Sequence, residues 1–181
     1  MSPGTRDRIL DALETLLLER GAAQMTLDNV AAAAGVSKGG LLYHFKSKDA
    51  LLVGLVHRLG ERVRTQLDEA RASGTSIAEW YLQTPDPTVP DDVVELALYR
   101  SLLATMRTID ASASSEPDEV QRALGAAMAA WSDDLETEVH DPVRADTIRL
   151  VGDGVYLRAL LGLPPIEPAR YRAVVDRLLE H

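Results

Sequence analysis

Apolar residues recur along this chain at helical spacing, and strand-like alternation is hard to find. Ile9, Leu10, Leu13, Leu16 and Leu17 form one amphipathic stripe, and Gly21 is placed to end it. Thr26 is a good N-cap for a short second helix with Leu27, Val30, Ala31 and Ala34 inward. Gly35-Val36-Ser37 breaks that pattern. Ser37 can cap a third helix, Lys38 to Phe45, and Ser47 a fourth beginning at Lys48. The fourth carries Leu51, Leu52, Leu55, Val56, Leu59, Val63 and Leu67 to about Ala72, and Ser73-Gly74 closes it.

Five more helices are expected beyond that point. Ile77 to Gln83 is short and stops at Pro85-Asp86-Pro87, and Asp91 to Ile109 follows. After a Ser/Ala linker, Ala111 to Ser115, Pro117 sits in the first turn of a helix running to about Val139. Asp141-Pro142 reads as N-cap and first residue of a helix to Leu161, and Pro168 to Leu179 is the last. The expected fold is all-α with about nine helices. The expected organisation is a helix-turn-helix domain over 1–47, a linking helix over 48–72 and a helical domain over 73–181.

Composition narrows the classes. Of 181 residues, 46% are hydrophobic and 26% charged, enough to bury a core and too apolar for wholesale disorder. Cysteine is absent, which excludes disulfides, thiolate zinc sites and redox CxxC chemistry. No apolar run approaches the roughly 20 residues that span a bilayer, so no membrane partner is expected. The first residues run straight into a segment holding Asp11 and Glu14, which fits no secretory leader; the expected compartment is the cytoplasm.

A net charge of −9 argues at first against a polyanionic partner, but the charge is unevenly spread. Residues 1–64 carry nine Lys and Arg against seven acids, and the remainder carries ten against twenty-one. All three lysines lie within Lys38 to Lys48. The field that matters is the one at the contact face, so a basic focus on an acidic body can still approach DNA.

That focus coincides with the most informative stretch, Thr26 to Leu52. Two short helices meet there across a glycine turn, the geometry of a helix-turn-helix. The outer face of the second helix is left with Lys38, Gly39, Gly40, Tyr43 and His44. Adjacent glycines cost roughly 1 kcal/mol each against alanine in a helix interior, a cost that fits a backbone meant to approach bases and phosphates closely. Lys38 offers a donor to a guanine edge or a phosphate. Tyr43 and His44 offer hydrogen-bonding rings to the sugar-phosphate chain, and Lys46 and Lys48 flank a helix N-terminus that already favours phosphate. From pattern alone, an ordinary helical hairpin with a lysine-solvated surface stays open as the alternative.

The run Gly35-Val-Ser-Lys-Gly-Gly-Leu-Leu-Tyr-His-Phe-Lys-Ser-Lys-Asp-Ala-Leu-Leu52 resembles the N-terminal DNA-binding domain of the TetR family of bacterial transcriptional regulators. The likeness extends in register from Thr5 into the fourth helix, about the first 60 residues. It implies that Lys38, Gly39, Gly40 and His44 face DNA from a recognition helix, with Ser37 at its start, while Thr26 and Lys48 grip phosphates. One position departs from the pattern. The family's usual Tyr after the core Leu is Leu42 here, expected to face inward, and the ring follows at Tyr43.

The same resemblance implies a C-terminal ligand-binding and dimerisation domain. It places a homodimer interface on the last two helices, where Leu150, Val151, Val155, Leu157, Leu160, Leu161, Val174, Val175 and Leu178 are apolar and Gly152 and Gly154 would permit close approach; the alternative is that these residues complete the monomer core. Between residues 80 and 156 lie Trp80, Tyr81, Tyr99, Met106, Met128, Trp131 and Tyr156. At helical spacing such residues serve as core or line an adaptable apolar cavity. Asp153, between two glycines on a helix expected to be mostly buried, is the polar candidate beside them.

Catalytic patterns are missing from the sequence. His44, His57, His140 and His181 are scattered without HExxH spacing, and no GxSxG, P-loop or GxGxxG run occurs. The expectation is therefore no enzyme, no metal and no cofactor. What the family resemblance implies is a repressor that binds a palindromic double-stranded operator as a homodimer and is released by a small lipophilic inducer. The alternative is a protein of the same fold that binds a ligand or protein partner without useful DNA affinity.

Overall fold

The computed structural model describes residues 4–109 and 119–180, except the side chains of 106–109. Nine α-helices, one 3-10 turn and no strand are found among the described residues. The helices are α1 (Thr5–Arg20), α2 (Leu27–Ala33), α3 (Lys38–His44), α4 (Lys48–Ser73), α5 (Ile77–Tyr81), α6 (Pro90–Ile109), α7 (Glu119–Val139), α8 (Pro142–Leu160) and α9 (Pro168–Leu179). The expected linker and Pro117 lie outside the described residues. The chain forms two compact units, 1–60 with 97–126, and 61–96 with 127–181.

In the first unit the α1 stripe is wholly inside: Ile9, Leu10, Leu13, Leu16 and Leu17 are buried with Leu51, Leu52, Leu55, Val56 and Leu59 of α4. Truncating any of these leucines to alanine removes apolar contacts and leaves a cavity, at about 2–5 kcal/mol each. Met25, to which the periodicity gave no role, is buried in the same core from the short turn after α1.

Gly35 has φ +64°, the left-handed conformation that a Cβ disfavours, and this lets α2 and α3 follow one another so closely. Thr26 and Ser37 cap the two helices as their positions required, accepting from the Asn29 N–H at 3.2 Å and the Gly40 N–H at 3.0 Å. Phe45, the chain's single phenylalanine, is buried against α4 at Gly54, where a Cβ would stand 2.7 Å from the ring.

Arg58 fastens α4 to α1. Its guanidinium donates to the carboxylates of Asp11, of Glu14 at 3.3 Å and of Asp7 at 3.5 Å, and to the Asp7 carbonyl at 3.3 Å. Burial works against its charge, but the hydrogen bonds and fields of Asp11 and Glu14 outweigh that and raise its pKa. Asp7, Asp11 and Glu14 share one face of α1, but nothing in the spacing pairs them with an arginine of α4.

The second unit is organised around the shortest helix. Ile77, Ala78 and Leu82 are buried with Val63, Leu67, Leu135, Ala145 and Ile148. Glu138 of α7 accepts from the Ile77 N–H at 2.9 Å and the Ala78 N–H at 3.0 Å, satisfying the start of α5 beside its own Ser76–Glu79 capping box. At the other end the Tyr171 hydroxyl of α9 donates to the Leu82 carbonyl at 2.7 Å. That tie and the burial of Leu82 end α5 at Tyr81, two residues before the expected Gln83.

Gly152 of α8 is buried against α5, where a Cβ would meet the Tyr81 carbonyl oxygen at 2.4 Å. The expectation that Gly152 makes room for a second copy is therefore corrected: its missing side chain makes room for α5. Gly154 faces open space.

Candidate nucleic-acid interface

The face of α3 away from the core is built as its residue types suggested. Leu41 is fully buried, which fixes the rotation of the helix. Lys38, Gly39, Tyr43 and His44 are then exposed, with Tyr43 at 84%. The Tyr43 and His44 rings meet edge to face at 5.2 Å between centroids, so each limits the other's rotamers. Leu42, expected to face inward, is half-buried.

The two glycines of α3 are not equivalent. A Cβ on Gly40 would come 3.3 Å from the Ser37 hydroxyl oxygen and crowd the cap. A Cβ on Gly39 would find its nearest neighbour, the same oxygen, at 4.0 Å. The fold itself gives no reason for Gly39 to lack a side chain.

Ser37 and Thr26 use one lone pair each in capping and keep their hydroxyl hydrogens for an outside acceptor. Lys46 is exposed, and Lys48, half-buried, is the first residue of α4, whose N-terminal turn is capped by Ser47 through the Ala50 N–H at 3.0 Å. The sequence reading missed Asp28. Its carboxylate lies 3.0 Å and 3.1 Å from Lys38 Nζ through its two oxygens, an acid beside the cation assigned to DNA.

The eight residues proposed to line a ligand site do not fall into one group. Tyr99 packs on the core of the first unit. Trp80, Tyr81 and Trp131 pack on the core of the second, where Tyr81 and Trp80 meet edge to face at 6.2 Å. The Tyr81 hydroxyl donates to Asp153 Oδ1 at 3.3 Å, and the Tyr156 hydroxyl to Glu95 Oε1 at 3.2 Å. Met128 is exposed, and the side chain of Met106 lies outside the described residues.

Burial raises the pKa of Asp153, against the opposing effects of the Tyr81 hydrogen bond and Arg149. Burial and the neighbouring Asp153 push Tyr81 up to about 12. The pair is a hydroxyl that stays protonated beside a partly desolvated carboxylate.

Two short helices joined across a left-handed glycine, with an exposed second helix, define a helix-turn-helix protein. The chain belongs to the TetR family: residues 9–55 match the model of bacterial regulatory proteins of the tetR family, and 75–181 match the tetracyclin repressor-like C-terminal domain.

Among curated relatives, the HTH-type transcriptional repressor BepR of Brucella suis is 41% identical over 54 residues, which cover 30% of this chain and 26% of BepR. The HTH-type transcriptional regulator PksA of Bacillus subtilis is 23% identical over 180 residues, 97% of this chain and 88% of PksA. Several of the relatives, BepR included, are matched over less than a third of their own length. Among solved structures, the multidrug binding protein EbrR complexed with ethidium is 25% identical with a TM-score of 0.68, covering 99% of this chain and 100% of EbrR. The described residues contain no helix long and apolar enough to cross a membrane.

Proposed function

We propose that this chain is a cytoplasmic transcriptional repressor. As a homodimer it reads a palindromic operator with α3 and releases it when a small lipophilic molecule binds the C-terminal domain. Residues 1–47 form the reader, 48–72 the linking helix and 73–181 the ligand-binding and dimerisation domain. The observation that carries this reading is the α3 surface: an exposed lysine, tyrosine and histidine beside Gly39, a glycine that the fold does not require.

The roles follow from position. Lys38, Gly39, Gly40 and His44 meet base edges and the groove floor, while Thr26, Ser37, Tyr43, Lys46 and Lys48 hold phosphates. Two such readers 34–36 Å apart match successive major grooves, which is why a dimer is required. Ligand binding favours a spacing that no longer fits, transmitted along α4. Coupling of this kind is typically about 1–3 kcal/mol, or 5–150-fold in operator affinity.

For the ligand, the second unit supports a lipophilic cation. Asp153 and Glu95 are each reached by a tyrosine hydroxyl, and Trp80 and Trp131 stand in the same unit. EbrR, of the same fold, is known complexed with ethidium and with malachite green. Aromatic faces with a partly desolvated carboxylate suit such cations. Tyr99 packs with the first unit's core and is left out of this site.

A second reading, a protein of this fold without useful DNA affinity, is favoured by the pairing of Lys38 with Asp28 and by Leu42. Selection of bound sequences from random DNA separates the two. A palindromic consensus is expected from the repressor, and recovery of no sequence at low salt would establish the other reading.

A further inference from the structure

Arg6 stands over the Phe45 ring, its guanidinium carbon 5.2 Å from the ring centroid. Phe45 is 3% exposed, held on one side against Gly54, whereas Arg6 is exposed. Phe45 sits between His44, the last residue of α3, and Lys46, just before α4. The first turn of α1 thus delivers a cation to the strip where the chain's lysines gather. We propose that Arg6 is a further DNA-backbone contact, seated on Phe45 to donate to a phosphate next to those held by Lys46 and Lys48. The proposal rests on the DNA-reading function above.

One observation and two physical arguments carry it. Arg6 makes no ion pair among the described residues, while Asp7, its neighbour, is turned to Arg58. The neighbouring acids of α1 therefore pair with Arg58 and not with Arg6. A guanidinium on a ring face keeps its N–H groups available, and its planar fork matches phosphate oxygens. Holding the side chain there in advance also lowers the rotamer entropy lost on contact. No spacing pattern signals this contact, because Arg6 lies on α1 and Phe45 in the link between α3 and α4.

The test compares wild type with Arg6→Met, which keeps apolar cover over Phe45 and removes the charge. Affinity is measured for a duplex selected from random DNA and for an unselected duplex of equal length, across a fourfold range of salt. Each phosphate contact contributes about 0.9 to the slope of log affinity against log salt, or about 3.5-fold over that range. Arg6→Met is expected to lose that 3.5-fold of salt sensitivity per protomer, with an unchanged ratio of selected to unselected binding, and Arg6→Lys to retain it. Arg6→Gln, read in the same way, serves if the methionine variant does not fold. A wild-type slope in either charge-removing variant overturns the role of Arg6 and leaves the repressor reading standing. A wild-type protein that binds neither duplex overturns both.

Discussion

Lys38 Nζ lies 3.0 Å from Asp28 Oδ1, an ion pair that joins the first residue of α3 to the first turn of α2 across the Gly35 turn. Both side chains are largely exposed, so the pair adds only about 0–1 kcal/mol to folding. In the proposed reader its effect is on DNA binding instead, since the pair holds the ammonium and offsets its charge.

Lys38→Ala is expected to weaken the selected duplex by about 1–3 kcal/mol and an unselected duplex much less, as a base-reading side chain would. Equal loss on both makes Lys38 a phosphate clamp. Asp28→Asn is expected to tighten both duplexes and narrow the ratio between them, because it removes a carboxylate from a face meant for a polyanion. Fluorescence anisotropy at several salt concentrations measures all four values.

Gly39→Ala separates the needs of the fold from those of the partner. With its nearest neighbour at 4.0 Å, the added methyl fits, and the helix gains up to about 1 kcal/mol in propensity. Urea unfolding is expected to show a variant at least as stable as wild type, while operator affinity falls by more than tenfold. A variant that is more stable and binds DNA normally removes close backbone approach from the mechanism.

Much of this was legible in the sequence, and what was not has a common cause. The α1 and α4 stripes, the Thr26 and Ser37 caps and the Gly35 turn are local signals, each contained within a few residues. Asp28 with Lys38, Arg58 with the α1 acids, Glu138 on the start of α5 and Tyr171 on its end are pairings between helices, which periodicity does not rank. The aromatic residues show the same limit. Spacing placed Tyr99 with Tyr81 and Trp131, and only the packing assigns it to the other unit.

Asp153→Asn tests the anionic site through pH. The Asp153 pKa is raised above its ordinary 3.8, so between the two values the folded protein holds a proton that the unfolded chain has released. That stabilisation is complete below 3.8 and is lost as pH rises through the raised value. Above the raised value the wild type carries an ionised, partly desolvated carboxylate, which the amide replaces while still accepting from Tyr81. The variant is expected to unfold at higher urea than wild type at pH values above the raised pKa, with the difference closing as pH falls toward 3.8. Its affinity for ethidium, followed by fluorescence, is expected to drop. Unchanged ethidium binding removes Asp153 from the ligand site.

The proposed dimer rests on one side of α8. Val143, Leu150 and Leu157 recur every seven residues and are 76%, 71% and 52% exposed, and Leu161 at 64% continues the row. Val174 on α9 is exposed too, whereas Val151, Val175 and Leu178 pack on the second unit's own core. An apolar row of this length in water favours a partner of the same kind, since a two-fold interface brings one patch against itself. Leu150→Lys with Leu157→Lys places like charges across that axis and touches no buried core residue. Sedimentation is expected to move from dimer to monomer, with circular dichroism unchanged. Operator affinity is expected to fall toward that for unselected DNA, because a lone reader engages one half-site. A double variant that stays dimeric places the interface elsewhere on the chain.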